Sequence, residues 1–378
     1  MTVALNVQPL LYKEKTGIGW YTANIVRNLT SNYPDTKYYI DGFHSGAVDA
    51  DTNQFFDFKN AQTRLNPFPR SVYRLLSTFL PVPYSAFFRG DQNITHFFNY
   101  VLPPFVKGKT VVTIHDMVYR RFPETVNRNT KYMLRFSLEK TLRRVDKIIT
   151  ISRFSKEEIL AFYPISPECI EVIYCGVDHD IYHPNIEDSE KKRVREKFGI
   201  KDDYILYLGA LEPRKNISRL IAAYEQLKAR RKAPILVIAG PKGWMYDEIF
   251  NQAASLGDSV VFTDYVPNGD KPGLLAGARC FCFPSLYEGF GLPPLEAMAC
   301  GVPVVASNAA SLPEVVGNGG LMVDPYDVSA LSNAIERLCY DDDTWLDLHE
   351  KGLVQASGFN WPDAADRLHH VYKELVYQ

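Results

Sequence analysis

The chain has 378 residues, 46% of them apolar and 23% charged, with a formal net charge of −2. At roughly 100–200 residues per domain, this length predicts two domains, with three as the upper bound. The composition excludes wholesale disorder, and the 24 prolines and 23 glycines follow no short period of the kind a fibrous repeat needs. No stretch approaches the roughly 20 consecutive apolar residues of a membrane span. Residues 1–7 lack a basic leader, so the expectation is a cytoplasmic protein, or one that touches a membrane from outside. The six cysteines, at 169, 175, 280, 282, 300 and 339, form no Cys-x-x-Cys pair, and no histidine stands at ligand spacing beside them. They read as small buried hydrophobes in a reducing compartment.

In chain order, a short buried strand over 3–7 precedes a glycine turn, Thr16-Gly-Ile-Gly19, and a helical pattern over about 20–29. Strand, glycine turn and helix form the opening unit of a doubly wound α/β fold. Further strands are expected over 38–41, 94–97, 110–114, 147–151 and 170–173, with helices over 128–144 and 155–162. Together these make a first domain over 1–180. The charged, apolar-poor stretch after Pro184 predicts a linker over 181–200 that ends in a helix. A second strand series then starts afresh over 204–208, 235–239, 260–262, 280–283, 304–307 and 320–323. Helices intervene over about 217–229, 244–256, 271–276, 294–300, 328–340 and 343–353. Short apolar runs alternating with helical periods are what a parallel sheet covered on both faces requires. The second domain is therefore placed at 201–358. A last amphipathic helix within 359–378 finds no strand left in the second sheet and is expected to cross back to the first domain. The fold class is α/β, two doubly wound Rossmann-like domains facing a cleft.

Ligands of such sheets bind beyond the carboxyl ends of the strands, so candidate residues are sought there. Glu288-Gly-Phe-Gly-Leu-Pro-Pro-Leu-Glu296 follows the strand that ends at Phe283. Its glycines leave the backbone open, and its prolines can begin a helix whose exposed amides suit hydroxyl or phosphate oxygens. Two glutamates eight apart could grip two parts of a polyhydroxylated ligand, although bare carboxylates at that spacing are usually solvated. Arg214-Lys215 lies between a strand end at Leu208-Gly209 and a helix that could begin near Asn216. Such a pair would neutralise a diphosphate, Arg by bidentate contact and Lys as a point charge, or would simply be solvated on a loop. His115 ends an apolar strand and is followed by Asp116. It points either into the cleft or into the core. Gly17 and Gly19 form a lone glycine turn, since position 22 is threonine and the full G-x-G-x-x-G is absent.

Glu288 and Glu296, with Gly-Phe-Gly between them, resemble the E-x7-E motif of family 4 retaining glycosyltransferases, whose two Rossmann-like domains make the GT-B architecture. The resemblance spans essentially the whole chain. It takes in Thr16-Gly-Ile-Gly19, Ile114-His-Asp116, Tyr207-Leu-Gly209, Glu212-Pro-Arg-Lys-Asn216, Ile238-Ala-Gly240, Leu286-Tyr-Glu288, Ala299-Cys-Gly-Val-Pro303 and Leu312-Pro-Glu314. It implies a retaining hexosyltransferase that uses a nucleotide-diphosphate sugar. Glu288 would hold donor-sugar hydroxyls, and Phe290, Gly291 and Leu292 would offer amides to the same sugar or its phosphate. Glu296 would bind the ribose, while Tyr265 and Val266 would meet the base through backbone. Gly17, Gly19 and Gly209 would lie against the donor, and His115 would orient a sugar hydroxyl. With Arg214 and Lys215 on the diphosphate, no metal and no cofactor are implied. The contexts of His115 and Glu288 lean toward bacterial mannosyltransferases of polysaccharide or O-antigen assembly, with GDP-mannose as donor. UDP-hexoses and dTDP-rhamnose remain as alternative donors. A sugar-phosphate synthase or epimerase, and a non-catalytic sugar-nucleotide-binding subunit, remain as alternative functions. No nucleic acid is implied.

Charge is uneven along the chain: residues 1–180 carry a net +5 and the remainder −7. Between positions 64 and 89, Phe68, Tyr73, Leu75, Leu76, Phe79, Leu80, Tyr84, Phe87 and Phe88 interleave with Arg64, Arg70, Arg74 and Arg89. Such a mixture suits a membrane interface and a lipid-linked acceptor, or else a buried aromatic subcluster. The basic helix over 128–144 carries the same two readings, a lipid-facing surface or a solvated face.

Overall fold

The computed structural model describes residues 1–12, 16–46, 56–243 and 247–377, with the backbone alone at 78 and 79. The chain divides into two compact units, Met1–Gly176 with Trp361–Gln378, and Val177–Asn360. The final helix, Trp361–Tyr377, is therefore part of the first unit.

In the first unit, β1 (Thr2–Asn6), β2 (Lys37–Phe43), β3 (Ala61–Asn66), β4 (Ile94–Phe97), β5 (Lys109–Ile114), β6 (Lys147–Thr150) and β7 (Ile170–Val172) form a parallel sheet. Its order is β3-β2-β1-β4-β5-β6-β7. The direction of winding reverses between β1 and β4, the place where such sheets open a crevice for ligand. The helices Gly17–Asn32 and Trp361–Tyr377 pack together. Their packing is fixed by the Tyr21–Trp361 ring contact and by a 2.9 Å bond from the Tyr33 hydroxyl to Asp366. Another buried cluster joins Phe43, Tyr73, Tyr84, Phe88, Phe97, Val112 and Ile114 to Leu134, Leu138 and Leu142 of the helix Arg128–Leu142.

Three local features differ from the sequence reading. The strand β3 was not expected, because Ala61-Gln-Thr-Arg-Leu-Asn66 lacks an apolar alternation. It is an edge strand, anchored by Arg64, whose guanidinium holds both oxygens of buried Asp41 at 2.7 Å. The first helix starts at Gly17, so Gly17 and Gly19 lie in its opening turn and not in a turn before it. Residues 181–200 are not a linker. The helix Asp188–Lys197 buries Val194 and packs on the helix Lys271–Ala276, with Arg193 and Lys197 reaching Asp270 at 2.6 and 2.5 Å.

In the second unit, β8 (Tyr204–Leu208), β9 (Ile235–Ala239), β10 (Val260–Phe262), β11 (Cys280–Phe283), β12 (Val304–Ser307) and β13 (Gly320–Val323) are parallel. Their order is β10-β9-β8-β11-β12-β13. Here the reversal lies between β8 and β11. The helix expected over 244–256 is seen as Asp247–Ala253 with an irregular turn after it, and its first three expected residues lie outside the described residues.

Candidate active site

The loops that leave β8 and β11 meet where the winding of the second sheet reverses. The β8 loop runs from Gly209 to Asn216 and is pinned at both ends. At its start, Gly240 adopts φ +139°, and a Cβ there would stand 2.0 Å from the Gly209 carbonyl oxygen, so only glycine permits this approach. At its end, Asn216 takes a left-handed conformation at φ 62°. Its side-chain amide donates to the carbonyls of Pro284 at 2.9 Å and Pro325 at 2.7 Å. A strained, buried asparagine bonded to two loops fixes the residues just before it.

Those residues are Arg214 and Lys215. The Lys215 ammonium lies 2.5 Å from Glu288 Oε1, and Arg214 Nη1 lies 3.1 Å from Glu288 Oε2. Arg214 also donates to the Tyr287 carbonyl and, through Nε, to Glu212, each at 3.1 Å. Lys215 and Glu288 are buried, and Arg214 is half-buried. Burial opposes ionisation of Glu288, but the charges of Lys215 and Arg214 outweigh it and hold the carboxyl below the usual range. Burial and the neighbouring Arg214 together pull Lys215 below the ordinary lysine value, against the attraction of Glu288. The result is a largely buried cluster of fixed charges that would face growing negative charge without reorganising.

The backbone after Glu288 is braced by Ser311, whose buried hydroxyl lies 2.9 Å from the Glu288 carbonyl and 2.7 Å from the Phe290 carbonyl and shares its one proton between them. Gly291, at φ +126°, caps the helix Leu292–Ala299, so Phe290, Gly291 and Leu292 sit at a helix start, where backbone amides favour anions and hydroxyls. Glu296 projects from that helix. It keeps part of its surface open, yet burial raises its pKa, against the opposing pull of Lys271 and of the Tyr182 hydroxyl. After β10, Asp264 is left-handed and its carbonyl accepts the Gly240 amide at 2.9 Å. Tyr265 beyond it is exposed and Val266 is buried.

In the first unit, His115 stands at the end of β5. Its ring is buried against Tyr21 at 5.0 Å between centroids, and Nε2 lies 2.8 Å from the Phe98 carbonyl. A carbonyl can only accept, so Nε2 carries the proton. Burial lowers the pKa more than the Phe98 bond and Asp116 raise it, which keeps the imidazole neutral and leaves Nδ1 as an acceptor. Beside it, Tyr100 holds a left-handed backbone at φ 47° and donates its hydroxyl to Asp116 at 2.9 Å. At Gly17 a Cβ would meet nothing within 4 Å, so open space and not packing accompanies that glycine.

Comparison with known proteins decides the family. Residues 16–181 match the family described as Glycosyltransferase Family 4, and residues 188–353 match Glycosyl transferases group 1. The chain is 34% identical to the O-antigen chain mannosyltransferase B of Escherichia coli, over 99% of this chain and 100% of that protein. The chain belongs to glycosyltransferase family 4. A second relative, the serotype-specific mannosyltransferase WbdA of Escherichia coli, is 31% identical over 69% of this chain and 33% of its own length. Among solved structures, HepE of Anabaena in complex with UDP and glucose superposes with a TM-score of 0.74 at 18% identity, covering 99% of this chain and 100% of that one. The fold is thus the two-domain GT-B fold.

Within this glycosyltransferase, one unit brings together Gly209, Arg214, Lys215, Glu288, Phe290, Gly291 and Leu292. Ser311, Asn216 and Tyr182 support the site without standing among the candidate residues. Asn216 belongs to the quoted run Glu212-Pro-Arg-Lys-Asn216, which could have marked it. Ser311 and Tyr182 carry no local signal, because their partners are distant in sequence. Among the described residues, no group of three or more His, Cys, Asp or Glu side chains is placed to hold a metal ion.

Proposed function

We propose that this glycosyltransferase moves a mannosyl residue from GDP-mannose, with retention of configuration, to a growing glycan or a lipid-linked acceptor. The observation that carries the reading is the buried Arg214–Lys215–Glu288 cluster at the reversal of the second sheet, in a chain that aligns end to end with a mannosyltransferase. In this reading Arg214 and Lys215 meet the donor diphosphate. The bond from the anomeric carbon to the phosphate oxygen breaks, and the cations stabilise the charge that gathers on that oxygen. The acceptor hydroxyl adds to the anomeric carbon from the same face, and the departing phosphate oxygen takes its proton. Glu288 serves the donor-sugar hydroxyls as well as the cations. Glu296 takes the ribose hydroxyls, and the neutral Nδ1 of His115 accepts from a hydroxyl of the transferred sugar. Two fixed cations at the diphosphate support a reaction that needs no divalent metal.

The test is turnover with a panel of GDP-, UDP- and dTDP-sugars in the presence of chelator, with product configuration read by NMR. Release of GDP with formation of an α-mannoside is expected. Turnover confined to a UDP- or dTDP-sugar, or an inverted product, overturns the assignment.

A further inference from the structure

The first unit carries an exposed surface that the transfer chemistry does not use. On the helix Arg70–Phe79, Tyr73 faces the core, while Val72, Leu75 and Leu76, at i, i+3 and i+4 spacing, are exposed, and Leu80 follows them. On the helix Arg128–Leu142, Leu134 and Leu138 face the same buried cluster as Tyr73, which puts both helices over one face of the sheet. The outward side of this second helix shows Tyr132 and Phe136, one turn apart, among the exposed bases Arg128, Arg135, Lys140 and Arg143. Its acidic member, Glu139, is paired with Arg143 at 2.6 Å.

A loop joins the two helices. The Leu102 amide donates to Thr141 Oγ1 at 2.9 Å, and Arg144 Nη2 donates to the Leu102 carbonyl at 2.8 Å. A few residues on, the Pro104 carbonyl accepts the Tyr84 amide at 3.0 Å, in the turn that follows the first helix. Phe105 stands at the end of this tether with a left-handed backbone at φ 50°. Leu75, Phe105, Tyr132 and Phe136 are each 58–63% exposed. A left-handed phenylalanine that remains in water gains nothing from the core and stores strain.

We propose that this surface docks on an anionic lipid bilayer, with Leu75, Phe105 and Phe136 entering the headgroup region and the surrounding bases meeting lipid phosphates. Aliphatic and aromatic side chains ringed by Lys and Arg, on helices lying flat over a folded domain, are the chemistry of an interfacial anchor. No helix among the described residues is long and apolar enough to span a membrane, so attachment is peripheral. The proposal deepens the lipid-linked acceptor reading above, on which its purpose rests. The binding itself needs neither donor nor acceptor. Arg144 is excluded from the contact, since its guanidinium is held by main-chain carbonyls. So is Arg64, which is committed to Asp41.

The experiment is cosedimentation of the full chain with phosphatidylcholine vesicles, with and without phosphatidylglycerol, in rising salt. Binding is expected with the anionic vesicles and should fall as salt rises. Phe105→Ser and Phe136→Ser should each weaken it about tenfold. Reversing Arg128, Arg135 and Lys140 to glutamate should weaken it at least about fivefold per base. Unchanged melting identifies the variants that remain folded, and the charge reversals stand in for any serine variant that fails. No binding at low salt, or binding indifferent to both sets, overturns the proposal. So does self-association lost in the same variants without vesicle binding, which would make the surface a protein interface. Failure of the donor assignment would leave every vesicle result intact.

Discussion

Lys215 and Glu288, 73 positions apart in sequence, are joined by a 2.5 Å ion pair that bridges the loops after β8 and β11. The cations proposed for the diphosphate are therefore positioned by the carboxylate proposed for the sugar. Removing Arg214, which is half-buried and backed by Glu212, leaves the Lys215–Glu288 pair intact. Arg214→Ala is expected to lower kcat/KM about 10²–10³-fold with a small change in Tm. Lys215→Ala leaves the buried Glu288 carboxylate with Arg214 as its remaining cation and should also destabilise the fold, by less than the about 3–5 kcal/mol of a fully unpaired buried charge. Steady-state kinetics beside thermal melts of the two variants check this. Near-normal turnover in folded Arg214→Ala removes the diphosphate assignment.

The same ion pair alters what is expected of the two glutamates. Glu288→Gln keeps one acceptor oxygen, turns the other position into a donor facing a cation, and removes the counter-charge that Lys215 and Arg214 share. It should leave GDP affinity equal to or tighter than that of the parent while lowering turnover at least about tenfold. Glu296→Ala should weaken GDP binding. Calorimetry with GDP separates them, and an equal loss of affinity in both variants would contradict a division into sugar and nucleotide carboxylates.

The sheets were largely legible in the sequence because buried parallel strands are written as apolar runs, such as Cys280-Phe-Cys-Phe283, between helical periods. The edge strand β3 escaped because it is held by Arg64 and Asp41, a polar device that composition does not distinguish from a loop. The aromatic run over 64–89 mixed two surfaces. Tyr73, Tyr84 and Phe88 are core, as in Phe43–Phe88 at 4.9 Å, whereas Leu75, Leu76 and Leu80 face outward. The side chain of Phe79 lies outside the described residues. Helical phase, and not residue type, decides between them. Residue type and spacing brought Arg214, Lys215 and Glu288 forward as candidates. Their mutual pairing, and the support from Asn216, Ser311 and Tyr182, depend on contacts distant in sequence that no local pattern encodes.

Glu296 gives the nucleotide site a pH dependence. Burial raises its carboxyl above the ordinary glutamate value, so it takes up a proton earlier as pH falls. Protonation removes the charge and turns one acceptor oxygen into a donor, so GDP affinity should decline on the acid side at a pH above that of a free glutamate. The Tyr182 hydroxyl acts in the opposite sense and favours the carboxylate. Tyr182→Phe should therefore move the acid limb to higher pH, and Glu296→Gln should erase it. GDP titrations across the acid range check both shifts, and an unmoved limb in Tyr182→Phe would mean that the hydroxyl does not reach the carboxylate in solution.

The docking of the final helix should be acid-sensitive. His96 is buried, with Nδ1 at 2.6 Å from the Tyr372 hydroxyl and Nε2 at 2.8 Å from Thr113 Oγ1. His369 stacks on Tyr33, and its Nδ1 has no partner among the described residues. Burial, reinforced by His115, lowers the pKa of His96 to about 3. Burial and Lys373, against Asp366, lower that of His369 to about 4. In the unfolded chain both protonate near the ordinary histidine value of about 6.5, so below that pH the unfolded state binds more protons. Stability should be flat above about pH 6.5. Below it, each histidine should remove at most about 1.4 kcal/mol per pH unit until its folded pKa is reached, and His369, with the higher folded value, stops contributing first. His369→Phe retains the stack on Tyr33 without a titrating group and should reduce the slope. His96→Asn should reduce it further at some loss of stability at neutral pH. Denaturant melts from neutral to mildly acid pH measure these slopes, and an unchanged slope in both variants would assign the acid sensitivity to other groups.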